Sequence, residues 1–173
     1  MKQLVLIILL HIGYNTLAQE ENLEDSKGVH KIALVLGITH IPAAIEEGEK
    51  TSEEFVPTLG IDYFYHFKEG WKLGLVMDYE FANYIVKFDK EELTRESALV
   101  TGILVGYEFA ERWSVLLGPG IEFEKNKNIG ILRASLEYEF ELNKDWGLFP
   151  SANYDFKQEY STWSLNIGVS RRL

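Results

Sequence analysis

The sequence predicts an all-β fold: a single eight-stranded antiparallel up-and-down barrel that crosses a membrane. Three observations carry this prediction. The chain divides into eight segments in which apolar and polar residues alternate, which is the period of a two-faced β-strand. Each segment has roughly 11 to 13 residues, close to the length that a tilted strand needs to cross a bilayer and well above the norm in soluble sheets. The third observation is an aromatic motif that recurs between segments.

In this motif an aromatic pair, a short polar turn and a tryptophan follow one another. The three copies are residues 65–71 (YHFKEGW), 107–113 (YEFAERW) and 138–146 (YEFELNKDW). Each copy is interpreted as the base of a β-hairpin whose aromatic side chains point the same way. Aromatic residues repeated at strand ends form the girdles at the membrane interfaces of transmembrane barrels. The predicted girdle consists of Trp71, Trp113, Trp146 and Trp163.

The first 18 residues have the pattern of a cleaved signal peptide. Lys2 precedes a short apolar run at residues 4–10, and small residues follow as far as Ala18. The apolar run is too short to span a bilayer as a helix. We therefore expect Sec-type export with cleavage near Ala18, signal peptide 1–18, a polar leader at 19–28 and the barrel at 29–173.

Composition restricts the classes of partner. The formal net charge is −10, and it becomes −11 without Lys2, which argues against nucleic acid or anionic lipid bound through a basic surface. The chain has no cysteine, so neither disulfides nor thiolate metal sites are expected. Neither a glycine-rich phosphate loop nor a dinucleotide fingerprint is present, and no cofactor is expected.

The eight segments give the predicted strands in chain order. They are residues 29–41, 55–67, 71–81, 97–109, 113–124, 129–140, 146–156 and 162–173. The turns at 68–70, 110–112 and 141–145 are short, whereas 42–54 and 82–96 are predicted to be long polar loops; the connections at 125–128 and 157–161 are shorter. Outer-membrane barrels place their short turns on the periplasmic side and their longer loops outside. Both termini are therefore expected on the periplasmic side.

The third strand indicates which face points outward. Every second residue from Trp71 to Phe81 is bulky and apolar, and the residues between them include Lys72, Asp78 and Glu80. A soluble barrel also alternates, but it buries its apolar face. Bulky faces of this width would overfill a small lumen, and glycines recur on the polar side, where space is needed. The apolar face is therefore predicted to contact lipid.

The polar face is predicted to line the lumen. Its candidate residues are Asp62, His66, Lys72, Asp78, Glu80, Glu108, Glu122, Arg133, Glu137, Glu139, Asp155 and Arg172. Arg133 is the cation placed nearest the centre, with Asp78, Glu122 and Glu137 as candidate neighbours. The network is either a plug of salt bridges or an acidic path for small cations. The lumen of an eight-stranded barrel is just wide enough for side chains to fill, which favours the plug.

Three exceptions interrupt the pattern. Pro119 and Pro150 have the lipid-facing parity, and because proline cannot donate to the ladder, each is predicted to mark a bulge or a strand end. Arg171 shares the apolar parity of the last strand and is expected to snorkel to the interface.

The signal peptide, the amphipathic strands, the Tyr-x-Phe strand ends and the tryptophans after the turns resemble the small OmpA/OmpX-type outer-membrane β-barrel proteins. The resemblance is one of pattern and spans the whole mature chain. It implies a place in the bacterial outer membrane, contact with outer-membrane lipid, and insertion by the barrel-assembly machinery. Such proteins commonly end in an aromatic residue, whereas this chain ends in Leu173.

Three function classes follow. The first is a non-enzymatic barrel with a filled lumen that acts as a structural or loop-displaying interaction protein. The second is a small porin-like transporter with an acidic lumen, and the third is a lipid-modifying enzyme. His66 has the lumen parity and His40 has no serine two residues on, so a His-x-Ser pair is missing. A lone His40 beside loop acids is typical of a solvated side chain, so no metal site and no catalytic site are predicted. Size and the crowded polar face favour the first class.

Overall fold

The structure is a computed structural model that describes residues 28–46, 50–81, 83–88, 91–158 and 160–173. The predicted signal peptide and residues 19–27 of the leader lie outside these ranges. No helix in the described residues is long and apolar enough to cross a membrane.

The described residues form eleven strands. They are β1 (His30–Glu46), β2 (Lys50–Lys68), β3 (Trp71–Glu80), β4 (Asn83–Phe88), β5 (Glu91–Glu96), β6 (Leu99–Ala110), β7 (Trp113–Phe123), β8 (Ile129–Tyr138), β9 (Phe140–Glu141), β10 (Trp146–Lys157) and β11 (Thr162–Arg172).

Eight of these strands close into an antiparallel barrel. In chain order β1, β2, β3, β6, β7, β8, β10 and β11 each pair with the next, and β11 pairs back with β1 from Lys31↔Arg172 to His40↔Trp163. The two-residue strand β9 pairs with the start of β10. Closure leaves no unpaired edge in the wall. The predicted fold class is therefore confirmed.

The two faces of the wall are inverted relative to a soluble barrel. Along β3 the residues alternate strictly between exposed and buried. Leu75 is 48% exposed on the outside, whereas Lys72 is 5% exposed on the inside. Leu34, Leu36 and Ile103 are also more than half exposed. An apolar outside and a charged inside suit a barrel surrounded by hydrocarbon.

Glycines on the inner face make room for inward aromatic rings. A Cβ on Gly168 would lie 2.2 Å from Cζ of Phe149, and a Cβ on Gly74 would lie 2.9 Å from Cε1 of Phe64. Both distances are below van der Waals contact. The recurrence of glycine on the polar side of the strands therefore reflects a lumen filled to capacity at these two positions.

The prediction of long loops at 42–54 and 82–96 is wrong, because strands occupy most of both ranges. β1 and β2 continue as a ladder as far as Glu46↔Lys50, with a register irregularity between Ile41 and Ala44. The second range contains the hairpin β4–β5. The faces of these stretches do not divide between lipid and a charged lumen: Val86 of β4 is buried in an apolar cluster, and Arg95 of β5 is buried among acids. The alternation that identifies the wall strands is therefore absent.

The hairpin β4–β5 crosses one mouth of the barrel. It is inserted between β3 and β6, which are neighbours in the wall, yet β4 pairs with the extension of β1 at Ala44↔Val86 and Ile45↔Ile85. We call this end of the barrel the loop end. The opposite end, which carries the turns after β2, β6 and β8, is called the turn end.

The two prolines lie inside continuous strands, so the predicted bulges or strand ends are wrong. The β6–β7 ladder skips from Gly102↔Gly120 to Val105↔Leu117, on either side of Pro119, with no shift of register. On the two sides of Pro150, β10 pairs with β8 and with β9, again with no shift of register. Since each residue in a ladder bonds to one neighbour at a time, a missing donor interrupts one ladder only.

We expect Leu75→Arg to lower the free energy of unfolding by about 2 to 4 kcal/mol, because Leu75 faces outward near the middle of β3. Val105→Arg should lower it by less, because Val105 also faces outward but lies opposite Leu73, next to the Trp71–Tyr107 pair at the turn end. Urea unfolding from lipid vesicles measures this loss. Leu142→Arg is the control, since Leu142 is exposed in the turn before β10 and an interfacial arginine costs about 0 to 1 kcal/mol. Equal effects at all three positions would contradict a lipid-facing wall.

Candidate functional site: the filled lumen and its cap

The centre of the lumen is organised by Arg133. Its Nε and Nη2 donate to the two oxygens of Asp155 at 2.7 and 2.9 Å, and Nη1 donates to Asp78. The register of β8 with β10 places Arg133 directly opposite Asp155, whereas Asp78 reaches it from β3 across the lumen. The guanidinium is 4% exposed, so its charge is compensated by these two carboxylates rather than by solvent.

A second group of charges lies toward the turn end. Lys72 Nζ donates to Glu137 at 2.7 Å, and Lys31 Nζ lies 2.8 and 2.7 Å from the two oxygens of Glu139. His66 Nε2 lies 3.4 Å from a Glu108 oxygen. Glu139 follows the last residue of β8.

A third group lies at the loop end around Glu122. This carboxylate lies 2.5 Å from Lys157 Nζ, accepts a hydrogen bond from Tyr160 Oη at 3.1 Å, and is also paired with Arg95. Arg95 Nη1 donates in addition to Glu124 at 3.1 Å. The four charged side chains of this group are wholly buried.

The hairpin β4–β5 supplies the cap of this group. Arg95, near the end of β5, also donates to the backbone oxygen of Lys127 at 2.5 Å. On β4, Val86 is fully buried in an apolar cluster with four residues of the wall and its connections, namely Ile41, Val56, Ile129 and Tyr160. A buried arginine and a buried valine thus hold the hairpin over the mouth.

A small cavity remains between the central and turn-end groups. Its volume is about 10 Å³, close to the minimum that holds one water molecule. The carboxylates of Asp62, Asp78 and Glu137 line it together with Arg133 and apolar side chains from three strands. Within the described residues no three His, Cys, Asp or Glu side chains are grouped so as to hold a metal ion.

The structure places most of the predicted lumen residues inside the barrel. The nine buried ones are Asp62, His66, Lys72, Asp78, Glu80, Glu122, Arg133, Glu137 and Asp155. Glu108 and Glu139 are partly exposed at the turn end. Arg172 is the exception and does not belong to the buried network: its side chain is exposed and pairs with Glu141 at 2.8 Å, although its Cα lies opposite that of the buried Lys31.

The predicted neighbours of Arg133 are only partly correct. Asp78 binds Arg133, but Glu122 pairs with Arg95 and Lys157, and Glu137 pairs with Lys72. Alternation fixes the face on which a side chain lies but not its height along the barrel axis, and height decides which charges meet.

The sequence prediction does not include four charged residues that the structure places in the lumen. Lys31 and Glu124 have the inward parity of their strands, and that signal could have found them. Lys157 also has this parity, but the seventh strand was predicted to end at residue 156, one residue too early. Arg95 lies in the range predicted as a loop, where no periodicity marks it.

The girdle tryptophans are distributed between the two ends. Trp71, Trp113 and Trp146 each begin a strand at the turn end, and Trp163 lies opposite His40 at the loop end. Their rings contact other interfacial side chains: the centroids of Trp71 and Tyr107 are 4.9 Å apart, and the Arg171 guanidinium carbon lies 5.5 Å from the Trp146 ring centroid. The second contact gives the outward Arg171 a cation–π partner.

The three histidines of the described residues lie in separate surroundings. His66 points into the lumen beside Glu108, whereas His40 lies at the loop end with ring centroids 4.8 Å from those of Phe55 and Trp163. His30 Nδ1 is 2.5 Å from the Tyr63 hydroxyl at the turn end. His40 pairs with Glu53 at 3.4 Å.

Solved structures with the same fold are small outer-membrane barrels. The outer-membrane protein OprG of Pseudomonas aeruginosa superposes with a TM-score of 0.62 at 14% identity, over 88% of this chain and 99% of that one. The N-terminal β-barrel domain of OprF from the same organism gives 0.58 at 11% identity, over 85% and 100%. Ail, the attachment invasion locus protein of Yersinia pestis, gives 0.56 at 14% identity in its complex with the heparin analogue sucrose octasulfate, over 85% and 99%.

No protein-family model matches the sequence, and no curated protein matches it either. The solved structures show that the chain has the fold of the small eight-stranded outer-membrane barrels, the fold that the OmpA/OmpX-like resemblance implies.

We expect Arg133→Met to lower the free energy of unfolding by about 3 to 5 kcal/mol, because it leaves two buried carboxylates without their cation. Urea unfolding from vesicles measures the loss. Adding Asp78→Asn and Asp155→Asn should recover most of it, since the two former partners of Arg133 are then uncharged. Arg172→Met is the matched control: its ion pair is exposed, and such pairs contribute about 0 to 1 kcal/mol. A loss no larger than that of the control would contradict the central role of Arg133.

We expect Arg95→Ala to free the hairpin β4–β5 while the barrel stays folded, because the wall ladders do not involve this side chain. Amide exchange at residues 83–88 and 91–96 should accelerate, and protease should cut the chain there. Lys125→Ala is the control, since it removes an exposed ion pair to Glu96 in the same region. Unchanged exchange in Arg95→Ala would show that the apolar cluster alone holds the cap.

Proposed function

We propose that this protein is a non-enzymatic barrel of the bacterial outer membrane whose lumen is filled by side chains, and that it acts as a structural or loop-displaying interaction protein. The single observation that carries the proposal is the lumen filling: three groups of paired charges and a hairpin cap occupy its length, and the cavity between two of them has about 10 Å³. A hydrated ion needs a continuous path wider than one water molecule.

The placement in the outer membrane is supported by the outward apolar face and by the solved barrels of the same fold. Outer-membrane lipid is then the partner of the exposed apolar band, and the barrel-assembly machinery is the partner during insertion. We place the turn end in the periplasm, because outer-membrane barrels have their short turns there.

The loop end is then the surface offered to partners outside the cell. The extension of β1 and β2 and the hairpin β4–β5 form a continuous ladder there, in the order β2, β1, β4, β5. Since Arg95 and Val86 fix the hairpin to the wall, this end is an ordered platform and not a pair of free loops. Neither a nucleic acid nor a cofactor is part of the proposal.

A porin-like cation transporter is the second candidate, and one observation favours it. Acids exceed bases in the lumen, and Asp62 and Glu80 each have a buried oxygen with no hydrogen-bond partner among the described residues. Such acids would attract small cations. Against this candidate, Arg133 bridges β3, β8 and β10 in the middle of the path.

We expect the purified barrel to leave the baseline current of a planar lipid bilayer unchanged, because among the described residues Arg133 bridges β8 to both β10 and β3 across the middle of the lumen. A general porin inserted in the same bilayer is the positive control. Discrete cation-selective steps from the wild-type barrel would overturn the filled-lumen proposal in favour of the transporter. Altered lipid A masses in a deletion strain, restored by the wild-type gene, would instead point to the lipid-modifying enzyme.

A further inference from the structure

The cavity beside Arg133 contains a carboxylate that the protein does not compensate. Asp62 is 7% exposed, lines the cavity, and its Oδ1 has no hydrogen-bond partner among the described residues. The neighbouring acids are engaged: Asp78 accepts from Arg133, and Glu137 accepts from Lys72 at 2.7 Å. Of the acids that line the cavity, Asp62 is thus the one with a buried oxygen that no described donor satisfies.

The charged side chains around the cavity carry a net negative charge. Around the cavity four carboxylates (Asp62, Asp78, Glu137 and Asp155) face two cations, Arg133 and Lys72, which leaves an excess of two negative charges. Arg133 is already divided between two of these acids. This excess holds while all four carboxylates are ionised, and buried charge without compensation is strongly unfavourable. A water molecule would satisfy the hydrogen bond but not the charge, so Asp62 must take up either a proton or a cation.

The other polar groups of the lining suit a hard cation. The side chains of Ser135, Ser151 and Asn153 supply neutral oxygens, and oxygen is the ligand that hard cations prefer. The space holds one particle of about the size of a water molecule. Calcium needs six to eight oxygens and magnesium retains several waters. A small monovalent ion therefore fits the volume and the one carboxylate oxygen without a partner.

We propose that this cavity binds one sodium-sized monovalent cation, with the Asp62 carboxylate as its anionic ligand and oxygens of Ser135, Ser151 and Asn153 completing its surroundings. The ion is a fixed component of the filled lumen, held between the Arg133 group and the Lys72–Glu137 pair. It neutralises part of the acid excess that the protein's own cations leave. This inference goes beyond the proposed function, which requires only that the lumen be closed.

The test uses urea unfolding of the full barrel from vesicles of zwitterionic lipid in sodium, potassium or N-methylglucamine chloride at equal ionic strength. Sodium should raise the unfolding midpoint relative to N-methylglucamine. Above saturation, each tenfold rise in sodium should increase the folding equilibrium constant about tenfold, as expected for one site present only in the folded state. Sodium-23 NMR of the folded barrel should also show a broadened resonance.

Asp62→Asn should abolish both the sodium-specific increase and the broadening. It should not lower stability in N-methylglucamine, because it removes an uncompensated charge. Asp145→Asn removes an exposed carboxylate in the turn before β10 and should behave like the wild type. Equal midpoints in all three salts would overturn the proposal, as would a sodium effect that persists in Asp62→Asn. Stabilisation by acid that is the same in every salt would assign the site to a proton instead. None of these outcomes bears on the conductance test, so failure of this proposal is distinguishable from failure of the proposed function.

Discussion

The pairing of β11 with β1 is the contact on which the rest of the molecule depends. A strand surrounded by hydrocarbon must place every backbone N–H and C=O in a ladder, and only a closed sheet does this for all strands at once. Closure with eight strands also fixes the radius, and at this radius the interior has room for little besides side chains. The polar face of each strand is thereby forced into a narrow space with little solvent. The charges there must compensate one another.

Much of this compensation runs across the lumen. Arg133 joins β8 to both β3 and β10, Lys72 joins β3 to β8, and Lys31 joins β1 to the segment after β8. Strands far apart in the wall are tied together by these bonds, so the same side chains that fill the lumen also brace its shape. Because each bond involves a buried charge, loss of one partner is far more costly than loss of an exposed pair such as Arg172–Glu141. A solute path would require several of these bonds to break together.

The sequence predicts the wall well because the two faces of each wall strand meet opposite environments. That contrast predicts the turns before Trp71, Trp113 and Trp146. It also predicts the number of wall strands and the face on which each lumen residue lies. The prediction fails where the two faces of a strand no longer meet opposite environments. Beyond residue 41 the strands have no lipid on one face, so their continuation and the hairpin β4–β5 carry no alternating signal. Alternation also cannot assign height within the lumen, and for this reason Glu122 and Glu137 were placed beside Arg133 although they pair with Arg95 and Lys72.

The cap at the loop end links the interior to the surface. Arg95 lies in a hairpin outside the wall, but its guanidinium is buried among lumen acids, where Glu122 is also held by Lys157. The hairpin inserted between β3 and β6 therefore supplies Glu122 with a second cation, in addition to Lys157 of the wall strand β10. The hairpin in turn gains a defined position over the mouth, because charge-assisted hydrogen bonds are directional and apolar contacts are not. Arg95 therefore both fixes the position of the surface hairpin and compensates buried acids in the lumen.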